Sequence, residues 1–193
     1  MSPQRSNRSP LLEGTLRCLE RLPPERVTAR AIAAESGANI ASIAYHFGSK
    51  DELITEAVIA GLDRWLEEIA VALGEVEALE PAARLQRAWT VIESTRRRHA
   101  GLARNFLGAL AKAQHDRRVR ARLADGFRQT RPRVAGLLGL GEDQAGEDAA
   151  GLIHSMFTGL LFQTLLDPDL AIEDRRMGDA QARLRTVLPA TSS

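Results

Sequence analysis

Apolar residues recur through almost the whole chain at intervals of three or four positions, which is the spacing of one face of an α-helix. The alternating β-branched or aromatic runs that indicate strands do not occur in this sequence. We therefore expect an all-α fold of about nine helices. Its first three helices are short, and the others form a larger C-terminal helical part.

The first predicted helix follows an irregular N-terminal stretch. Ser9 suits the N-cap, and Pro10 then occupies the first helical position, where the N–H that proline lacks is not needed. Pro23 and Pro24 end this helix, because a proline inside a helix removes a backbone hydrogen bond and clashes with the preceding turn.

Two more short helices follow. The second is predicted to begin after Thr28 as its N-cap and to end at Gly37, which adopts a positive φ without strain. The third is capped by Asn39 and ends at Gly48. A glycine-bearing turn therefore separates two short helices.

The rest of the sequence predicts a long fourth helix and five more. Ser49 and Glu52 have the spacing of a capping box, which opens a helix over 49–73. Two domains are expected, over 8–50 and 51–190, linked through the fourth helix. The later helices are expected at 81–98, 101–114, 116–139, 144–166 and 173–188.

Three short helices with a glycine turn between the second and third are typical of a helix-turn-helix, a DNA-binding motif. The third helix turns Ile43 and Phe47 toward the other two, and its opposite face carries Ser42, Tyr45 and His46. Such hydrogen-bonding side chains suit base edges and phosphates. The alternative is an ordinary solvated helix face. A metal or catalytic role for His46 is disfavoured, since no second ligand or carboxylate lies nearby in sequence.

Charge and composition narrow the classes of function. The net charge is only +1, but the first 50 residues carry seven basic and four acidic side chains, so a basic surface would be local. The single cysteine, Cys18, excludes an intrachain disulfide and a cysteine zinc cluster. No apolar run approaches the roughly 20 residues that span a bilayer, and no signal peptide is evident. We expect a cytoplasmic protein without metal or cofactor.

The segment from Gly37 to Leu53 resembles the tetracycline-repressor family of bacterial regulators. Its most specific part is Tyr-His-Phe-Gly-Ser-Lys-Asp-Glu-Leu, over 45–53. The sequence departs from the family pattern at Asn39, Ala41 and Ala44, where the family often has Ser, Gly and Tyr. The resemblance is strict only over about residues 9–55.

The resemblance implies which residues contact DNA. Side chains of the second and third helices would face bases or the groove, and those at the starts of the second and fourth helices would hold phosphates. Arg5 and Arg8 are interpreted either as an arm that reaches the minor groove or as part of a disordered end. The predicted DNA-binding residues are Thr28, Arg30, Asn39, Ile40, Ala41, Ser42, Ala44, Tyr45, His46, Ser49 and Lys50.

A dimer is expected because two reading heads related by a twofold axis read two half-sites of one operator. In the family the last two helices of each subunit form the interface. Here small residues recur every four positions along the eighth helix, beside a broad apolar side. The alternative is packing within one subunit. The predicted interface residues are Gly151, Ser155, Gly159, Leu160, Met177, Leu184 and Leu188.

The family also builds a ligand pocket from its middle helices. The candidate lining residues are Trp65, Trp89, Phe106, Leu110, Phe127, Met156, Phe157 and Phe162, and each is an equally good core residue. Polar groups that could orient a ligand are His99, Asn105, Gln114, His115, His154 and Gln163. Arg96–Arg98 reads either as an anion site or as a solvated helix end. Because polar groups are scarce, the expected effector is small and mostly apolar.

These features together predict a ligand-responsive repressor that binds a palindromic operator as a dimer and is released by the effector. A helical enzyme is one alternative, but the sequence carries no HExxH, GxSxG or phosphate-loop motif. The other is a protein-interaction adaptor with a degenerate helix-turn-helix. The retained His46, Ser49 and Lys50 argue against it.

Overall fold

The computed structural model describes residues 7–74, 80–172 and 174–187, and within them it is entirely helical. The all-α prediction is confirmed. The α-helices are α1 (Arg8–Arg21), α2 (Ala29–Ser36), α3 (Ala41–Phe47), α4 (Lys50–Gly74), α5 (Pro81–Thr95), α6 (Ala100–Ala113), α7 (Arg117–Leu138), α8 (Gln144–Leu166) and α9 (Asp174–Val187). Single 3₁₀ turns lie at Pro24–Arg26 and Pro168–Leu170.

The caps of α2 and α3 follow the local sequence. The Thr28 hydroxyl accepts a hydrogen bond from the Ala31 N–H at 3.2 Å, and Gly37 ends α2 with φ +66°. The Asn39 carboxamide oxygen accepts one from the Ala41 N–H at 2.9 Å. These short-range hydrogen bonds satisfy donors that a helix leaves unpaired at its start, as predicted.

The start of α1 differs from the prediction. The helix begins at Arg8, so Ser9 and Pro10 lie inside its first turn and Ser9 is not the N-cap. The cause is tertiary: the Asn7 side chain donates to the Ser42 hydroxyl at 3.1 Å, and Arg8 pairs with Glu56. Because proline lacks only an N–H that the first turn does not use, Pro10 permits this earlier start.

The end of α5 also differs. The helix ends at Thr95 rather than at residue 98, and 96–99 form a turn into α6. This corner brings Gly101 directly against the backbone of α1. A methyl group at Gly101 would lie 2.4 Å from the carbonyl oxygen of Leu19 and 2.7 Å from that of Glu20. The crossing of α6 over α1 therefore depends on a glycine.

One buried apolar cluster joins the first three helices to the body. It extends from α1, α2 and α3 through the first half of α4 into α6 and α7. A second cluster lies farther along α4, around Trp65, Ile69 and Leu138. The core is thus continuous across residue 50, and the predicted division into 8–50 and 51–190 stays a prediction. Members of the first cluster include Leu11, Leu19, Ile32, Phe47, Leu53, Val58, Leu102, Phe106 and Val119.

Helix α8 is unusually apolar for a helix that is mostly exposed. It is 23 residues long with a mean hydropathy of 1.4 over its best 18-residue window, of which 17% is buried. By length and composition it could cross a membrane, so the expectation that no apolar segment approaches that length is wrong. Leu152 and Leu166 are 75% and 85% exposed, respectively. An apolar face of this extent is typical of a surface that another molecule covers.

Candidate DNA-binding surface and internal cavity

Helix α3 is anchored on one side and open on the other. Ile43 and Phe47 are buried against the core, whereas Tyr45 is 85% exposed. Ala41 and Ala44 are exposed beside Tyr45, and no large side chain covers them on their own helix. A short helix of this kind can enter a DNA groove, because its exposed side chains reach the bases and its small residues let the backbone come close to them.

The N-terminus of α1 contacts α3 through side chains of both helices. The Arg8 guanidinium lies 5.1 Å from the centre of the Phe47 ring and also pairs with Glu56 in α4. Arg8 is therefore part of a folded helix, and the interpretation of Arg8 as a mobile or disordered arm is wrong. Arg5 lies outside the described residues. The Ser42 hydroxyl, which is half-buried, accepts its hydrogen bond from Asn7.

The starts of α2 and α4 carry the predicted phosphate contacts. Thr28 is exposed while it caps α2, and the Ser49 hydroxyl caps α4 by accepting from the Glu52 N–H at 3.1 Å. The Lys50 ammonium lies 3.7 Å from an Asp51 carboxylate oxygen, and the other Asp51 oxygen lies 2.9 Å from Lys112. Arg30, Asn39 and Ile40 are exposed, and His46 is half-buried.

A cavity of about 150 Å³ lies between α4, α5, α6, α7 and α8. Four of the predicted lining residues border it: Trp65, Phe106, Phe127 and Phe157. The polar candidate His154 borders it as well. Its aliphatic lining is Ile59, Leu62, Leu66, Ile69, Leu73, Ala88, Ile92, Leu123, Val134, Leu137, Leu138 and Leu161, with Asp63, Gly126, Thr130 and Thr158.

The other four predicted lining residues lie elsewhere. The Trp89 indole N–H donates to the Ile172 carbonyl at 3.1 Å. Its ring stacks on the lining residue Phe157, with ring centres 4.9 Å apart, and does not itself border the cavity. Leu110 and Phe162 pack against the first core cluster, and Met156 borders a groove between α8 and α9.

The polar side chains that border the cavity differ in whether they already have a partner within the fold. The Asp63 carboxylate lies 2.7 Å from the Arg133 guanidinium, and the Thr130 hydroxyl donates to the Gly126 carbonyl at 2.9 Å. Burial, and then the nearby Arg131 charge, lower the pKa of His154 below 6.5. The His154 imidazole is therefore neutral at pH 7.

The remaining polar candidates lie outside the cavity, and three of them make contacts within the fold. His99 stacks on Trp65 with ring centres 4.6 Å apart, and its Nε2 lies 3.2 Å from a Glu68 carboxylate oxygen. The Asn105 side chain donates to the Gly101 carbonyl at 2.9 Å, and that of Gln114 donates to the Leu110 carbonyl at 3.4 Å. His115 and Gln163 are exposed.

The Arg96–Arg98 run does not form a separate anion site. Arg96 lies 3.0 Å from the carboxylate of Glu93, and Arg98 pairs with Glu68. Two of the three guanidinium groups thus already have carboxylate partners within the chain. The other interpretation, a solvated helix end, fits Arg97 and Arg98, which are exposed just beyond α5, but not Arg96, whose side chain is only 14% exposed.

Residues 11–57, which include α1 to α3 and the start of α4, match the model of the bacterial regulatory proteins of the tetR family. The resemblance seen in the sequence is therefore confirmed over this segment. It indicates a DNA-binding transcriptional regulator rather than an enzyme. No curated protein matches the sequence.

Solved structures share the fold over most or all of the chain. A tetR-family regulator from Mesorhizobium loti MAFF303099 has a TM-score of 0.67 at 15% identity, covering 96% of this chain and 98% of that one. The multidrug binding protein EbrR, complexed with imidazole, has a TM-score of 0.66 at 18% identity, covering 100% and 97%. A putative transcriptional regulator from Saccharomonospora viridis, in complex with choline, has a TM-score of 0.59 at 21% identity, covering 85% and 88%.

A second concavity runs between α8 and α9, with a volume of about 310 Å³. It brings together five of the predicted interface residues: Ser155, Gly159, Leu160, Met177 and Leu184. Gly151 is buried instead against the chain's own α7, where an added methyl group would lie 3.0 Å from the Arg131 Nε. Leu188 lies outside the described residues.

Sequence reasoning missed two polar residues that border the cavity together with His154, namely Thr158 and Asp63. For Thr158 a signal was available, because residues four apart share one face of a helix and His154 lies four positions before it. Asp63 had no such signal, since an isolated acidic residue in a long helix reads as a solvated one. Most aliphatic lining residues were equally indistinguishable from core.

Proposed function

We propose that this protein is a ligand-responsive repressor of the tetR family, which binds a palindromic operator as a homodimer and is released by a small, mostly apolar effector. The observation that carries the proposal is the course of α4. Its first residue, Lys50, closely follows α3, the helix that we propose reads the DNA and call the reading helix. Its middle turns, including Trp65, line the cavity. One rigid element thus touches both the DNA-reading head and the space for a ligand.

For DNA contact we assign the exposed face of α3 and the starts of α2 and α4. Tyr45, Ala41 and Ala44 would face bases or the groove, together with Arg30, Asn39, Ile40 and Ser42. Thr28, His46, Ser49 and Lys50 would hold phosphates. The exposure of Tyr45 supports this assignment, since an aromatic side chain left in water gains from a partner.

For the dimer we assign the faces of α8 and α9 that border the outer groove. Leu184, which borders the groove, and Leu152, which lies elsewhere on α8, are both exposed. Gly159 has no side chain, so another helix could approach α8 closely at this position. A second copy of the chain is the occupant we favour, because two reading heads are needed for two half-sites. The exposed apolar area of α8 would then be covered without a membrane.

An effector in the cavity would act through its preference between two conformations of the dimer. It can lower operator affinity only to the extent that it binds more tightly to the form whose heads are wrongly spaced. Two structural neighbours form complexes with choline and with imidazole, which supports a small-ligand role for this fold. Operator binding would require a location in the bacterial cytoplasm.

The test is footprinting of the purified protein on the DNA around its own gene, across a salt series. We expect one roughly palindromic protected site, steep loss of affinity with salt, and loss of protection in Tyr45→Ala. Val71→Ala, at an exposed site of α4 far from the reading helix in sequence, is the matched control. Weak, salt-insensitive binding to all DNA would instead favour an adaptor.

A further inference from the structure

We infer that the internal cavity binds an uncharged molecule with a single six-membered ring, of the size of phenol, held by hydrogen bonds to His154 and Thr158. This inference rests on the proposed function, because it names the chemical class of the effector. It depends on three properties of the cavity: its volume, its two unengaged polar side chains and the pairing of its charges.

The volume sets the size of the ligand. A cavity of about 150 Å³ with an apolar lining is known in another protein to bind benzene, and the cavity here has about that volume. Trp65, Phe106, Phe127 and Phe157 come from four different helices and offer ring faces and edges around it. Aromatic rings pair favourably in tilted or offset geometries, so a ring is the natural occupant.

The hydrogen-bonding groups set the polarity. His154 and Thr158 lie one turn apart on α8, and both border the cavity. Neither side chain makes a hydrogen bond to any of the residues that the structure describes, although the His154 ring packs 5.5 Å from that of Phe127, centre to centre. A neutral imidazole offers one donor and one acceptor, and a hydroxyl offers both. A single hydroxyl or carbonyl group on the ring would satisfy them.

The charges exclude an ionic ligand. Among the described residues Asp63 is the one carboxylate that borders the cavity, and it already pairs with Arg133 at 2.7 Å, so a cation would gain little. For an anion, no Lys or Arg among the described residues borders the cavity, and Arg131, which lowers the pKa of His154, is half-exposed and lies 3.8 Å from an Asp148 oxygen. An anion would therefore lose its hydration without gaining a buried partner.

The experiment uses the full-length protein and 4-fluorophenol as a fluorine NMR reporter, with phenol, benzene, benzoate, choline and decanoate as competitors. We expect saturable one-site binding of the reporter, displaced by phenol and more weakly by benzene. Displacement by benzoate, choline or decanoate at lower concentration than by phenol would overturn the inference, and so would the absence of saturation.

Two pairs of variants locate the site. Gly126 lines the cavity, so Gly126→Leu fills it and should weaken reporter binding more than tenfold, whereas Gly136→Leu in the same helix, where nothing lies within 4 Å, should not. His154→Phe should weaken phenol by about five- to tenfold and leave benzene within twofold. Equal losses for phenol and benzene would remove His154 from the recognition, and full binding in Gly126→Leu would place the ligand elsewhere.

Footprinting of the same preparation separates this inference from the proposed function. A protected operator without phenol binding would overturn only the ligand class. Phenol binding without any protected operator would overturn only the repressor function.

Discussion

The carboxylate of Glu56 in α4 lies 3.4 Å from the guanidinium of Arg122 in α7. The other oxygen of the same carboxylate pairs with Arg8, which supports the reading helix through Phe47. Arg122 directly precedes Leu123, which lines the cavity. Glu56 therefore links α7, beside the cavity wall, to the reading helix α3. The Glu56 oxygen that lies 3.4 Å from Arg122 is buried and has no hydrogen-bond partner, so this contact is an ion pair without hydrogen-bond geometry.

We expect this contact to contribute measurable coupling energy. A double-mutant cycle with Glu56→Gln and Arg122→Gln in urea unfolding should give about 0.5–1 kcal/mol, a value limited by the 43% exposure of the Arg122 side chain. The control cycle is Asp125–Arg128, whose side chains are 61% and 72% exposed and whose coupling should be near zero. Equal couplings in the two cycles would contradict a special role for Glu56.

The contact between α6 and α1 predicts opposite effects of one substitution at two glycines. Gly101→Ala would place its methyl group 2.4 Å from the Leu19 carbonyl oxygen, so it should destabilise the fold by about 1–3 kcal/mol or more. Gly108→Ala in the same helix meets nothing within 4 Å and should stabilise by about 0.5–1 kcal/mol. Urea unfolding of both variants measures the difference, and a neutral Gly101→Ala would mean that α6 sits farther from α1.

Features set by neighbours in sequence were predictable, and features set by distant contacts were not. Thr28, Gly37 and Asn39 act within four residues of their positions, so their caps could be read directly from the sequence. The start of α1 could not, because Asn7 and Arg8 are held by Ser42 and Glu56 from other helices.

The cavity shows the same limit. Trp65 and Trp89 each lie on the apolar side of a predicted helix, and both are buried. Sequence alone could not separate the lining residue from the core residue. Only the packing of five helices leaves Trp65 beside an empty volume while Trp89 fills the space against Phe157 and Ile172. Helix periodicity identifies which side chains turn inward, but the absence of a neighbour is a property of the assembled core.

The titration of His154 predicts how stability depends on pH. Its folded-state pKa is below the value of about 6.5 in the unfolded chain. The unfolded state therefore binds the proton first as the pH falls. The free energy of unfolding should be fully retained above pH 6.5 and should decline as the pH falls toward and through the folded-state pKa.

Urea unfolding at pH 8 and at pH 5 measures this loss. His154→Phe should lose less stability than the wild type between the two values. Arg131→Gln removes the second cause of the lowered pKa and should give an intermediate loss, while Asp63 remains paired with Arg133. A loss in His154→Phe as large as in the wild type would assign the pH dependence to other groups.

The two classes of proposed DNA contact predict different salt behaviour. Lys50→Ala removes a phosphate contact, so it should weaken binding to operator and to unrelated DNA alike and reduce the salt slope by about one. Tyr45→Ala should weaken operator binding while leaving the salt slope unchanged. Arg128→Ala, an exposed cation of α7, is the control for a mere change of net charge. An unchanged slope in Lys50→Ala would remove Lys50 from the phosphate contacts.

The groove between α8 and α9 predicts how the oligomeric state responds to a buried charge. Leu184 borders the groove and is 46% exposed in one subunit, so in the proposed dimer it would lie in the interface. Leu184→Glu would then bury an unpaired carboxylate and should weaken dimerisation by about 2–3 kcal/mol, or roughly 30- to 150-fold. Sedimentation velocity over a concentration series measures this shift.

Val71→Glu is the matched control, because Val71 is 65% exposed on α4 and does not border the groove. It adds the same charge and should leave the dimer intact. A wild-type chain that sediments as a monomer at every concentration would contradict the dimer and leave the apolar face of α8 for a different occupant. Dimers of unchanged affinity in Leu184→Glu would instead move the interface away from α9.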